Sequence, residues 1–258
     1  MDEDASRQRI EELLLSHTPE AVQERLLLGP THSNLRDLVY GATDGIVTTF
    51  AIAAAAFGAG LAPEIIVILG CANLGGDGIS MAISNVLGTR AEVQELERAR
   101  REEEEQISVI PEGEREEVRH IFMDKGFTGP DLERAVDIIT SDLKIWVDTM
   151  VTEELGLARV APSPWRAGFA TFVAFAVAGV VPLVPFFIVL AGGIGSAAAF
   201  AWSAGFAGLA FFLVGAFKAR FVDQEWYRSG LETLLAGGVA SGAAYLIGYL
   251  LRGIADAA

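Results

Sequence analysis

Residues 38–62 read LVYGATDGIVTTFAIAAAAFGAGLA, an apolar run whose one charged side chain is Asp44. As a helix rising about 1.5 Å per residue, this run crosses a hydrocarbon core about 30 Å thick. Four further windows have the same character, 65–87, 167–195, 197–217 and 234–251, and the only charge inside them is Asp77. The sequence therefore predicts an all-α membrane protein with five transmembrane helices.

Composition agrees with that reading. The 258 residues carry 19 Lys+Arg against 34 Asp+Glu, a net charge of −15, yet 52% are hydrophobic. A chain both acidic and apolar must segregate the two characters along its length, which excludes a soluble globular fold as the default. The single Cys71 excludes a disulfide framework and any multi-Cys zinc or iron–sulfur site, and it is expected as a small packed residue. No prosthetic group is expected. An acidic surface repels phosphate backbones, so nucleic acid is not an expected partner. The start Met1-Asp2-Glu3-Asp4 lacks the basic and apolar regions of a cleavable signal, so the first span is expected to stay as an anchor in membrane lipid.

Positive charge sets the expected orientation, because Lys and Arg collect in short cytoplasmic loops. The turns 58–63 and 191–197 hold none, whereas the arm 1–34, the segment 89–166 and the loop 218–228 hold all of them except Arg252 and Arg36, which lies two residues past the arm. The N-terminus and the long middle segment are thus expected in the cytoplasm. Four domains follow: an amphipathic arm over 1–34, spans one and two over 35–87, a small cytoplasmic helical metal-binding domain over 88–164, and spans three to five over 165–258. In the arm, Ile10, Leu13 and Leu14 recur at helical spacing, Thr18-Pro19-Glu20 reads as a cap with Pro at the first helical position, and His17 and His32 read as surface residues. In the middle segment, with 19 acidic and 10 basic residues, helix two continues through 89–107 until Pro111, a helix follows over 112–124, and another starts at Gly129-Pro130 and carries Trp146 and Met150.

Ionisable groups in spanning windows carry the sharpest chemical signal, since a central Asp costs about 2.5–3.5 kcal/mol on insertion scales. Asp44 has Thr48 one turn on, and Gly41 and Gly45 permit close helix contact. Asn73, Asp77, Met81 and Asn85 form an i+4 stripe on one helical face. With Gly75, Gly76 and Gly78 this stripe reads either as tight packing with interhelical hydrogen bonds or as a ligand set. Carboxylates with a thioether suit Fe2+ or Mn2+ better than Mg2+ or Ca2+, and such a site binds protons in competition with metal. The second signal is acidic: Glu102, Glu103, Glu104 and Glu105, then Glu112, Glu114, Glu116 and Glu117, then Met150, Glu153 and Glu154. It reads either as a solvated face laced to arginines or as a cation site. A third signal, Glu117 three residues before His120, matches one step of a ferritin-like di-iron motif and suggests a membrane-tethered iron-binding or ferroxidase-like protein. A regulatory membrane protein whose acidic domain binds a basic partner is a further reading.

Several of these segments resemble the vacuolar iron transporter family: Tyr40 through Phe50, Gly78-Ile79-Ser80-Met81-Ala82, Ser84 through Thr89, Glu154-Leu155-Gly156-Leu157, Pro182-Leu183-Val184-Pro185-Phe186 and Gly215 through Arg220. The resemblance implies a five-span homodimer, a secondary transporter and not an enzyme, exporting Fe2+ and often Mn2+ from cytosol in exchange for protons. Co2+ and Zn2+ are further candidate cargoes. It implies transport-path roles for Asp44 and Met81, with Asn73 where some relatives have Glu, a departure that leaves open whether Asp77 takes over as a ligand or proton carrier. Two copies of span one, meeting at Gly41 and Gly45, would line the path. In the middle domain it implies Glu103, Glu114, Glu117, Met150 and Glu154 as metal ligands, with Glu102 or Glu105 standing in where Gln106 departs from the pattern. A bacterial plasma membrane is the expected location.

Overall fold

The computed structural model describes residues 3–28, 34–158, 161–222 and 224–255, so His32 lies outside the described residues. Among them there are helices and no strands: α1 Glu3–Ser16, α2 Pro19–Leu28, α3 Leu35–Gly58, α4 Pro63–Val109, α5 Pro111–Asp124, α6 Gly129–Thr140, α7 Leu143–Glu153, α8 Pro164–Val180, α9 Val184–Leu190, α10 Ser196–Ala219, α11 Trp226–Leu250 and α12 Arg252–Ala255. Five segments are long and apolar enough to cross a membrane: α3, α4, α8 with α9, α10 and α11. The chain divides into two compact units, 34–94 with 162–258, and 1–33 with 95–161.

In the first unit α3 packs against α8, α10 and α11. Close approach to α8 requires glycine: a Cβ on Gly41 would stand 2.4 Å from the Thr171 carbonyl oxygen, and one on Gly45 2.3 Å from that of Phe175. The two glycines are therefore taken by α8 of the same chain and do not offer a face to a second copy of span one, contrary to the sequence expectation. Beyond them Ile46 and Phe50 meet Ala207 and Phe211 of α10. Ala53 and Ala56 join Ile66, Val67, Phe186 and Ala199 in a second cluster. The third span breaks where proline removes donors. Pro182 and Pro185 cannot bond the carbonyls four residues back, and the N–H groups of Val181 and Val184 take the Ala178 and Val181 carbonyls instead, winding Val181–Leu183 into a 3-10 turn. The Pro182 carbonyl, turned from its helix, accepts from Ser203 Oγ at 2.6 Å.

The second unit has a core of Leu96 and Ile107 from α4, Val118 from α5, Leu132 and Val136 from α6, and Trp146, Val147, Met150 and Val151 from α7. Helix α4 runs on past 107 to Val109, and α5 begins at Pro111 itself, one residue before the expected start. The expected single helix from Gly129 onward is two helices, because Asp142 in extended conformation caps α7 by accepting the Ile145 N–H at 3.0 Å. In the arm, Thr18 Oγ1 accepts the Ala21 N–H at 3.3 Å and so starts α2. Ile10, Leu13 and Leu14 of α1 are exposed.

Candidate metal path and acidic cluster

Helix α4 presents its polar stripe to α3 in antiparallel register. Near one end Asn73 Nδ2 donates to Thr48 Oγ1 at 3.1 Å and to Thr49 Oγ1 at 3.2 Å. Near the other, Asn85 Nδ2 donates to Asp37 Oδ1 at 2.9 Å and to Thr171 Oγ1 of α8 at 2.6 Å. Between these ties the antiparallel register brings Asp77 of α4 level with Asp44 of α3. Asp44 and Met81 are half-buried, and Asn73 is buried with its amide committed to the two threonines. Asp77 is exposed in the single chain, as are Gly75, Gly76 and Cys71. A Cβ on Gly75 or Gly76 would meet nothing within 4 Å, so these glycines do not mark packing inside this chain, and only Gly78 abuts Phe172 and Phe175. Cys71 is likewise not the packed residue its composition suggested, because it lies on the unpartnered side of α4.

Asp37 was legible as a carboxylate but falls one residue outside the first apolar window. The signal that finds it is its spacing from Asp44, seven residues on, which returns to the same helical face.

In the second unit helix phase singles out which glutamates turn inward. Glu103 lies seven residues after Leu96 and four before Ile107, so it occupies a core position of α4, and it is 3% exposed. Glu114, four residues before Val118, does the same on α5 and is 1% exposed. Neither Glu114 oxygen has a hydrogen-bond partner among the described residues, nor does Glu103 Oε2 or the Trp146 indole nitrogen. Burial pushes the Glu103 carboxyl up to about 7, helped by the charges of Glu154, Glu114, Glu117 and Glu102. Glu114 is raised by burial and then by Glu117 and Glu154, and Glu154 by burial and then by Glu117. Four carboxylates thus share one electrostatic neighbourhood, with the Met150 side chain fully buried one turn before Glu154. Among the described residues no three His, Cys, Asp or Glu side chains already converge as a set able to hold a metal ion. Of the four carboxylates, Glu103 and Glu114 are buried, whereas Glu117 and Glu154 are exposed.

The remaining acidic candidates point elsewhere. Glu102 is exposed and held by Arg98 Nε at 2.8 Å, and Glu105 is exposed. Glu116 and Glu133 are tied by Arg119, and Arg115 pairs with Asp137. His120 is exposed, with Glu116 Oε1 at 3.6 Å as its charged neighbour, so the expected Glu117/His120 step does not form a di-iron half-site.

A family model described as the VIT family matches residues 35–249, a stretch that includes α3, α4 and every carboxylate above. The chain belongs to the VIT family. A "Vacuolar iron transporter" of Toxoplasma gondii is 35% identical over 84% of this chain and 74% of its own length. "Vacuolar iron transporter 1" of Arabidopsis thaliana is 29% identical over 84% and 86%. "Vacuolar iron transporter 1" of Eucalyptus grandis is 30% identical over 82% and 84%. The apolar helices make this VIT-family chain an integral membrane protein. Its arm, 1–34, lies outside the family match.

Proposed function

We propose that this protein is a secondary transporter that exports Fe2+, and Mn2+ as a second cargo, from the cytosol in exchange for protons. The observation that carries the reading is the register set by the Asn73 and Asn85 ties, which brings Asp77 of α4 level with Asp44 of α3, within the VIT-family match, in a protein whose relatives are named iron transporters. Two carboxylates in an apolar span are costly when both are ionised and unpaired. A divalent cation between them removes that cost, and so do protons, so the two kinds of ion displace each other. The half-buried Met81 thioether adds preference for Fe2+, Mn2+, Co2+ or Zn2+ over Mg2+ or Ca2+. Asn73, committed to Thr48 and Thr49, serves as a tie between α3 and α4, leaving Asp77 as the second carboxylate.

The acidic cluster of Glu103, Glu114, Glu117 and Glu154 with Met150 is the proposed collecting site for the metal, on the cytosolic side that the Lys and Arg distribution assigns to 88–164. A bacterial plasma membrane is the proposed setting. A homodimer completes the path. Ala72, Gly76, Ser80, Ser84 and Gly88 form an exposed i+4 stripe of small residues on α4 beside the exposed Asp77, a face on which a second copy can approach closely and cover the carboxylate. Purified protein in sealed vesicles tests the proposal: Fe2+ and Mn2+ uptake should require an imposed pH gradient and should move protons the other way. Uptake indifferent to the gradient would remove proton exchange. Oxygen consumption on Fe2+ addition without flux would replace transport by iron oxidation.

A further inference from the structure

Asp37 is a carboxylate that the transport path as drawn leaves unused. It is 8% exposed, although it lies in the first turn of α3. An acid there ordinarily faces water near the free N–H groups and gains from the helix dipole. Asp37 instead turns inward, where the donor that the described residues bring to it is the uncharged amide of Asn85 at 2.9 Å. The same nitrogen donates to Thr171 Oγ1, whose hydroxyl donates to the Ala167 carbonyl at 3.0 Å. A buried carboxylate held by one neutral amide lacks the countercharge that burial demands.

Its place along α3 supplies a reason. Seven residues carry the helix about 10 Å and return it to within about 20° of the same direction, so Asp37 and Asp44 stand in one column on the side of α3 that meets α4. Opposite them α4 brings Asn85 to the first and Asp77 toward the second. The oxygens at the Asp37 level are its carboxylate, the Thr171 hydroxyl and the Asn85 amide oxygen, which neither Asn85 hydrogen bond uses. All are hard donors that suit a divalent cation.

We propose that Asp37, with Asn85 and Thr171, is a further divalent-cation station at the mouth of the path, one step before Asp44. Asn85 holds the carboxylate in place between ions and yields to the metal when one arrives. The inference rests on the proposed transport function. The test is Mn2+ flux against Mn2+ concentration for the full-length protein in proteoliposomes, comparing wild type, Asp37→Asn, Asp37→Glu and Asp44→Ala, with thermal unfolding of each in detergent. Asp37→Asn keeps an acceptor for Asn85 and nearly the same volume while removing the charge. It should raise the KM for Mn2+ about tenfold with an unchanged unfolding temperature, and Asp37→Glu should restore part of the loss. A wild-type KM in Asp37→Asn overturns the station. So does a loss of flux that accompanies a lowered unfolding temperature and is not relieved by Asp37→Glu, which would make Asp37 a structural tie. If Asp44→Ala abolishes flux while Asp37→Asn does not affect it, this inference alone fails; if wild type carries no metal, the transport function fails with it.

Discussion

At the scale of single residues the chemistry depends on carboxylates placed where hydrophobic side chains belong. Glu103 illustrates the consequence. Its carboxyl has an ordinary value of 4.5 and is pushed up to about 7 in the fold, chiefly by burial. The folded protein therefore binds the Glu103 proton more tightly than the unfolded chain, and stability falls as pH rises from 4.5 to about 7. Metal-free protein should unfold at a higher temperature near pH 5 than near pH 8, and Glu103→Gln should flatten that difference in a thermal scan. Metal affinity should run the other way, weakening by up to about tenfold per pH unit as Glu103 takes its proton below about 7, measured by equilibrium dialysis of Mn2+. The choice of Glu103 over Glu102 and Glu105 was open to sequence reading, because its spacing from Leu96 and Ile107 sets its phase. The pairing of Glu102 with Arg98 was not, since a Glu beside Arg at i,i+4 is equally compatible with metal binding until the face is known.

Among elements, the helices and most of their ends follow from local signals, and the exceptions have local causes. Asp142 splits one expected helix into α6 and α7 by capping, a role hidden in the sequence because no Gly or Pro interrupts the run from Asp131 to Leu155. Asp142→Ala should cost about 1 kcal/mol of stability, read as a lowered unfolding midpoint with little change in the transition's cooperativity. The five spans were legible from hydropathy alone, but their partners were not. Gly41 and Gly45 fit a close contact with any helix, and the contact is with α8. Gly45→Val would drive a side chain into the Phe175 carbonyl and should destabilise by about 1–3 kcal/mol, seen as a loss of monodisperse protein on size-exclusion chromatography after mild heating. The break between α8 and α9 was written in Pro182 and Pro185, although its satisfaction by Ser203 depends on a helix distant in sequence.

For the whole molecule, the apolar helices and the family match account for a membrane protein, and the polar stripe between α3 and α4 is the proposed route for ions. The exposed small-residue face of α4 leads to the proposed dimer, so Gly76→Leu should shift the protein toward monomer in light scattering and reduce flux while Mn2+ binding to the acidic cluster persists. The most direct measurement is Fe2+ flux into proteoliposomes under an imposed pH gradient, for wild type and for Asp44→Ala at matched incorporation. The account predicts gradient-dependent uptake by the wild type and a loss of at least about tenfold in the variant. Equal uptake by both proteins would contradict it.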